Sequence, residues 1–204
     1  MGNTLRSFAR GEDISEVKPY DFKSADVERE VKSYGNGLTA PADIEDAATT
    51  KAYIWMLSES VAQRMRKGKA RARTISIGVR YASDLTGYTR QAPALTPTNI
   101  TTEIASIAWE LLRSNEPLDE TAPLRALHVR ASNLVPTDKD MQLSLFDPLP
   151  KRTELETLDS VIDTARYRWG NKIIVWGPQT IDNAARTLDA KAGNTIHPVS
   201  FFHR

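Results

Sequence analysis

The clearest alternation of apolar and polar residues lies in the segment RTISIGVRYA. Side chains of a strand point to opposite faces in turn, so a period of two indicates a strand with one buried face. The apolar set is Ile75, Ile77, Val79 and Tyr81, and the polar set is Thr74, Ser76, Gly78 and Arg80. The turn SDL and the segment TGYTRQA that follow predict a second strand, which completes a hairpin.

Two more strands are predicted at the two ends of this region. Residues 31–40, VKSYGNGLTA, combine β-forming residues with Gly35 and Gly37, which indicates a bulge or a close approach of the backbone to another group. The segment PLRALHVRASNL alternates again. Its apolar set is Leu127, Val129 and Ala131, and its polar set is His128, Arg130 and Ser132.

Two amphipathic helices are predicted between these strands. The first begins at Asp43, a capping residue, and ends in a basic turn before Gly68. The second is TPTNITTEIASIAWELLRSN, with its apolar residues at helical spacing. The predicted fold class is therefore α+β, a four-stranded sheet in β-α-β-β-α-β order with two helices on one face. The other face is open to water or to a partner, and it carries Thr74, Ser76, Arg80, His128 and Arg130.

Composition narrows the class of protein. The chain has 204 residues, of which 40% are hydrophobic and 26% charged, as in ordinary globular proteins. No apolar run approaches the ~18 residues that span a membrane, and the start of the chain lacks the apolar core of a signal peptide. The absence of cysteine excludes disulfides and thiolate metal sites and fits a reducing compartment, so we expect a cytoplasmic protein.

The charge is unevenly distributed although the net charge is only +1. Between Arg64 and Arg90 there are eight basic residues against one acidic residue, Asp84. A basic stripe on an otherwise slightly acidic chain indicates an anionic partner. A solvated helix end and turn would produce the same pattern, and the charge alone does not separate the two explanations.

A short apolar run, MQLSLF, lies where its neighbours predict an exposed loop. Asp140 and Asp147 flank the run, and Pro148 and Pro150 are expected to prevent a helix after it. The residues alone leave three explanations open: a short strand, a piece of core between turns, or a ligand for another protein.

The strings ARGED, VKSYGNG, ARTISIGVRYASDLTGYTRQ, TPTNITTEIASIAWELL, PLRALHVRASNL and QLSLF follow one another along the chain. In this order they resemble the C-terminal part of bacterial Y-family translesion DNA polymerases, the ImpB/MucB/SamB group, from Thr4 to Phe146. The resemblance implies five regions: the end of a thumb helix (1–12), a linker (13–30), a little-finger DNA-binding domain (31–137), a clamp-binding loop (138–150) and a C-terminal tail (151–204).

In that family the little finger grips the DNA backbone, and a peptide like QLSLF docks on the sliding clamp, which would explain its exposed apolar residues. The expected DNA contacts are Lys32, Ser33, Tyr34, Thr74, Ser76, Arg80, Thr89, Arg90, His128 and Arg130, with backbone amides serving at residues 32–34. The expected clamp contacts are Gln142, Leu143, Ser144, Leu145 and Phe146. For His128, a phosphate contact and a plain surface histidine both fit the sequence better than a catalytic role.

The catalytic palm of that family holds two metal ions between paired carboxylates, and no segment of this sequence corresponds to it. We therefore expect no cofactor here, with Mg²⁺ belonging to the full-length polymerase, and no nucleotide incorporation by this chain alone. The resemblance implies a part of an error-prone polymerase of the SOS type that acts on damaged DNA. The alternative is a stand-alone clamp-interacting module without polymerase activity.

The tail is predicted to contain a helix in TELETLDSVIDTARYRWG, a short strand in NKIIVWG and a short helix in TIDNAARTL. Trp169 and Trp176, which flank the predicted strand, are expected in a core. The sequence leaves open whether the tail packs on the little finger or binds a regulatory partner.

Overall fold

The computed structural model describes residues 2–12, 31–115, 123–138, 149–171 and 173–177, in one unit within residues 1–30 and a second from residue 31 onward. The first unit contains the helix α1 (Gly2–Ala9). Gly11 follows it with a φ of 74°, a left-handed conformation common after helix ends and free of strain for glycine. The helix expected at the start of the chain is present, and the predicted linker 13–30 lies outside the described residues.

The second unit is built on one antiparallel sheet. Its elements, in chain order, are β1 (Ser33–Ile44), α2 (Ala47–Lys67), β2 (Ala70–Tyr81), β3 (Gly87–Thr98), α3 (Thr101–Arg113), β4 (Leu124–Pro136) and α4 (Leu149–Trp169). The spatial order of the strands is β1-β4-β2-β3, so the last strand lies in the middle of the sheet. The predicted α+β fold class and the β-α-β-β-α-β order are confirmed.

The hydrophobic core lies between one face of the sheet and the helices α2 and α3. The alternation predicted for β2 is confirmed, since Ile75 and Ile77 are fully buried. Leu57 of α2, Ile104 of α3 and Val129 of β4 complete the layer from the other elements. At about 25 cal/mol per Å² of buried apolar surface, this layer supplies the main stabilisation of the sheet against its helices.

The helix α2 begins later than the sequence predicted. Ile44 pairs with Leu124 in the sheet and is buried in the core, so the strand extends past Asp43. Asp43 instead forms an ion pair with Arg125 at 3.2 Å. The cap of α2 is Asp46, whose carboxylate accepts the backbone N–H of Thr49 at 2.8 Å. This hydrogen bond lowers the pKa of Asp46.

The helix predicted in the tail is confirmed as α4, but it begins at Leu149. Pro150 therefore lies in its first turn and does not prevent it, because the first N–H groups of a helix have no intrahelical partner to lose. Gly170, with a φ of 97°, follows the last turn. The strand predicted over residues 171–177 is wrong for the residues described there. The predicted helix at residues 180–188 lies outside the described residues.

Charged side chains hold α4 on the domain. Arg66 at the end of α2 contacts Asp159 at 2.9 Å and Asp163 at 2.7 Å. Asp159 also accepts the backbone N–H of Thr101 at 2.8 Å, which caps α3 from outside because its own N-cap residue, Ile100, has no polar side chain. Burial raises the pKa of Asp159 more than Arg66 lowers it.

A second cluster lies nearer the end of α4. Arg166 forms a buried ion pair with Glu59 of α2 and donates to the carbonyl of Ile174. The same carboxylate accepts the indole N–H of Trp176 at 2.8 Å. Trp169, in contrast, is 62% exposed, so its expected place in a core is wrong. Of the two alternatives for the tail, packing on the domain is what the structure shows for α4.

Among the described residues, no helix is both long enough and apolar enough to cross a membrane.

Candidate nucleic-acid interface

Four rows of residues cover the sheet face opposite α2 and α3. Each row takes one residue from each strand in the order β1-β4-β2-β3. The rows are Ser33–Ser132–Thr74–Pro93, Gly35–Arg130–Ser76–Gln91, Gly37–His128–Gly78–Thr89 and Thr39–Ala126–Arg80–Gly87. We call this surface the open face. None of its positions is acidic, and its side chains are mostly small. Its positive charge comes from Arg80 and Arg130, and the row of His128 lies between their rows.

The two arginines of the open face are exposed. Arg130 donates to the hydroxyl of Ser33 at 2.9 Å, which directs its guanidinium across β1. Ser76 was expected at this surface, but it is only 7% exposed and its hydroxyl donates to the Arg130 carbonyl. Thr74 also lies on the open face, where its hydroxyl accepts from Asn133 at 2.9 Å.

His128 lies flat against the neighbouring strand β1. A Cβ added at Gly35 would lie 3.1 Å from Nε2 of His128. One added at Gly37 would lie 3.0 Å from Cδ2 of the same ring. The two glycines, noted in the sequence as a site of close approach, thus make room for an imidazole. Desolvation, and then the charge of Arg130, lower the pKa of His128. The ring is therefore neutral at pH 7.

Arg90, one of the expected DNA contacts, does not lie on the open face. It pairs with the core residue Ile77, and paired residues of an antiparallel sheet share a face. Its guanidinium donates to Asn115 at 2.9 Å beyond the end of α3 and stacks on Tyr88. Thr89 and Arg90 are neighbours in one strand, so their side chains point to opposite faces of the sheet. Thr89 is the one on the open face.

Residues 32–34 lie at the start of β1. Lys32 is exposed and precedes the strand, and Ser33 lies on the open face. The side chain of Tyr34 is on the other face, where it pairs with Ala131 and packs against the core. The prediction for these residues concerns their backbone amides, and it stays a prediction.

Much of the basic stripe has partners inside the domain. Arg64 donates to the carbonyl of Gly35 at 2.7 Å, and desolvation lowers its pKa. Arg66 is bound to α4, as described above. Arg71 donates to the carbonyl of Thr137 at 3.3 Å and contacts Glu156 at 3.5 Å. The stripe is therefore partly structural. Its exposed members are Lys67, Lys69, Arg73, Arg80 and Arg90, and the last of these lies on the covered side of the sheet.

A shallow concavity of about 570 Å³ lies on the open face. Gly37, Gly78 and Ala126 form part of its floor, and Arg80 and His128 are among its other lining residues. Among the lining residues that sequence reasoning missed is Leu85, in the turn between β2 and β3. The segment SDL predicts a turn, but nothing in it signals which face of the sheet the leucine joins.

The residues predicted to dock on the clamp, Gln142 to Phe146, lie outside the described residues. Within the described residues, no group of three or more His, Asp or Glu side chains is placed to hold a metal ion.

Fold and surface together define an α+β domain with helices on one side of its sheet and a cationic, nearly bare surface on the other. Residues 31–145 match the model of the impB/mucB/samB family C-terminal domain. The chain belongs to this family, and its resemblance to the C-terminal part of Y-family polymerases is confirmed.

Two relatives show the extent of the similarity. DNA polymerase IV of Acetivibrio thermocellus is 39% identical over 83% of this chain and 40% of its own length. DNA polymerase IV of Clostridium kluyveri is 31% identical over 87% of this chain and 43% of its own length. The chain thus spans about two fifths of these relatives. A solved Y-family DNA polymerase chimera overlays on 65% of this chain and 35% of its own, with a TM-score of 0.41 and 16% identity.

Proposed function

We propose that this domain binds duplex DNA by its backbone on the open face, as the C-terminal part of a translesion polymerase acting on damaged template-primer DNA. The observation that carries the proposal is the composition of the open face, where Arg80 and Arg130 stand among small side chains with no acidic residue in any row. The names of the relatives, DNA polymerases IV, support DNA as the partner.

The chemistry of this face suits phosphates better than bases. Guanidinium groups and hydroxyls contact phosphate oxygens, which position a duplex without identifying its sequence. Small side chains let a phosphodiester backbone come close to the sheet. We therefore expect weak affinity, on the order of 10⁻⁴–10⁻⁶ M at physiological salt, that is nearly independent of sequence.

Salt titration of duplex binding tests the proposal. Each phosphate that is neutralised adds about 0.9 to the slope of log affinity against log salt. Arg80→Ala and Arg130→Ala should each weaken binding to all duplexes alike and flatten the slope by about one unit. Arg90→Ala is the matched control, because Arg90 lies in the same hairpin but on the covered face.

Arg113, at the end of α3, is a second control that also lies away from the open face. Equal losses from Arg113→Ala and Arg80→Ala would contradict the proposal, as would a salt slope that neither open-face variant changes.

We also propose that residues 142–146 dock on the bacterial sliding clamp. Gln142 would provide a polar anchor, and Leu145 and Phe146 would fill an apolar pocket, where binding energy concentrates. The segment joins β4, which ends at Pro136, to α4, which starts at Leu149, so both of its ends are attached to the same unit. The alternative, a clamp-interacting module that does not use DNA, predicts clamp binding with no salt-dependent duplex binding.

A further inference from the structure

Gly78 lies inside the strand β2, where the fold gives no reason for a glycine. Its neighbours Ile77 and Val79 are core residues, and a glycine between them weakens the strand because it packs nothing and loses much conformational entropy. Its φ is outside the left-handed region. A Cβ at Gly78 would lie 3.4 Å from Oγ1 of Thr89 and 3.5 Å from Cβ of His128, which is ordinary contact. An alanine would fit.

The other strand glycines of the open face are explained by contacts within the domain. A Cβ at Gly87 would overlap the carbonyl of Val79. One at Gly37 would lie 3.1 Å from the carbonyl oxygen of Leu127, and Gly35 is confined by His128, as described above. Among the glycines of the four strands, Gly78 is thus the exception. A glycine inside a strand without an internal reason often marks the close approach of a ligand.

The surroundings of Gly78 indicate what that ligand is. Gly78 lies in the floor of the concavity on the open face, between His128 and Thr89 in its row. Arg80 lines the same concavity and offers a charged donor for a phosphate oxygen. Leu85 adds an apolar surface that is 58% exposed. A cation, a hydroxyl and an apolar side chain around a bare backbone match one sugar–phosphate unit.

Leu85 adopts an unfavourable backbone conformation at this position. Its φ is 60°, which asparagine or glycine would adopt more easily than leucine. Asp84 fixes the turn by accepting from the backbone N–H of Thr86 at 3.0 Å and from its hydroxyl at 2.8 Å. Strained residues that persist in a structure cluster at binding sites. The exposed apolar side chain is therefore kept at a cost to the fold.

We propose that Gly78 is the floor of a subsite in which one sugar–phosphate unit of a DNA strand packs directly on the backbone of β2. Arg80 and Thr89 contact its phosphate, and Leu85 contacts its deoxyribose. This inference rests on the proposed function and identifies the point at which the DNA backbone comes closest to the sheet.

Gly78→Ala tests the subsite by adding a methyl group that the domain tolerates and the DNA does not. Duplex affinity should fall about tenfold, because a methyl group forced into a close contact causes a clash. The salt slope should keep the parent value, since no cation is removed, and the melting temperature should stay the same or rise. Gly177→Ala is the control, because a Cβ there has nothing within 4 Å.

Leu85→Asn is a second variant that suits the left-handed backbone and so keeps the fold. It should raise the melting temperature and lower duplex affinity with an unchanged salt slope. If it binds DNA as tightly as the parent, the subsite is wrong, even if Gly78→Ala should fail to fold. Parent-like binding by Gly78→Ala also overturns it. Failure of the parent to bind duplex in a salt-dependent way would instead overturn the proposed function.

Discussion

The arginines at the end of α2 and those on the open face have opposite surroundings. Arg64 and Arg66 meet carbonyl and carboxylate oxygens supplied by β1 and α4. Arg80 and Arg130 lie on a surface whose rows contain no acidic residue. Arg66 and Arg80 belong to the same basic stripe of the sequence. Only Arg80, on the open face, is available to a binding partner. The position in the fold, and not the density of charge along the chain, decides which arginines are available.

The largest effect is expected on the structural side of this comparison. Arg166→Met should lower the free energy of unfolding by about 3–5 kcal/mol, because Glu59 would remain buried without its cation. Urea unfolding followed by circular dichroism measures the change. Arg168→Met, an exposed position of the same helix, is the control and should shift stability by no more than ~0.5 kcal/mol. A small effect at Arg166 would mean that α4 is not held by this ion pair.

The next effect separates the apolar clamp segment from the charged open face. Changing Gln142, Leu145 and Phe146 together to Ala should abolish binding to the bacterial sliding clamp, since lost interface anchors cost ~2 kcal/mol or more each. Duplex affinity and its salt slope should remain those of the parent. Surface plasmon resonance on immobilised clamp measures the affinity for the clamp. Leu158→Ala, which removes an exposed apolar side chain from α4, is the control. Clamp binding that survives the triple change would remove residues 142–146 from the interface.

A smaller effect on the structural side comes from the cap of α2. Asp46→Ala should cost about 1 kcal/mol near neutral pH, as capping residues do. The folded protein holds the pKa of Asp46 below its ordinary value, so this contribution is present above that ordinary value and is lost as pH falls through the lowered one. Thermal unfolding of parent and variant across acidic pH checks this. If the difference in stability between parent and Asp46→Ala grew towards low pH, Asp46 would not be the cap of α2.

The smallest effect concerns His128 on the open face. Its pKa is lowered, so the ring is neutral at pH 7 and gains its charge only as the pH falls below that lowered value. Acidification should then steepen the salt slope of duplex binding in the parent by up to about one unit. His128→Asn should show no such change. If parent and variant respond to pH alike, another group is responsible.

The architecture could be predicted from the sequence because its signals are local. The period of two in β2 and the helical spacing in α3 each depend on side chains that face one core, and the register follows from burying them. The side of the sheet on which Arg90 lies can be predicted as well, since alternation from Tyr88 assigns Arg90 to the covered face. The side chain of Tyr34 also lies on the covered face, but the expected DNA contact of this residue concerned its backbone amide.

The packing of α4 could be predicted only in part, because buried charged residues share its packed side with an apolar one. The helical spacing of Leu158 and Val161 suggests a buried apolar face, yet both are exposed. The side that packs on the domain carries the buried Ile162, but also Arg152, Asp159 and Arg166. Partners for such charges come from distant elements, and sequence spacing says nothing about those pairs. The role of Gly78 was equally hidden, because only the space around its missing Cβ distinguishes it from Gly37.

One paired measurement tests the division between the two groups of arginines most directly. Duplex affinity against salt and the free energy of unfolding would be determined for Arg66→Ala and Arg80→Ala side by side. We predict that Arg80→Ala flattens the salt slope by about one unit and changes stability by less than ~0.5 kcal/mol. Arg66→Ala should lose about 3 kcal/mol of stability and leave the slope of the folded protein unchanged. The opposite pattern, or equal effects of the two variants on the salt slope, would contradict the account.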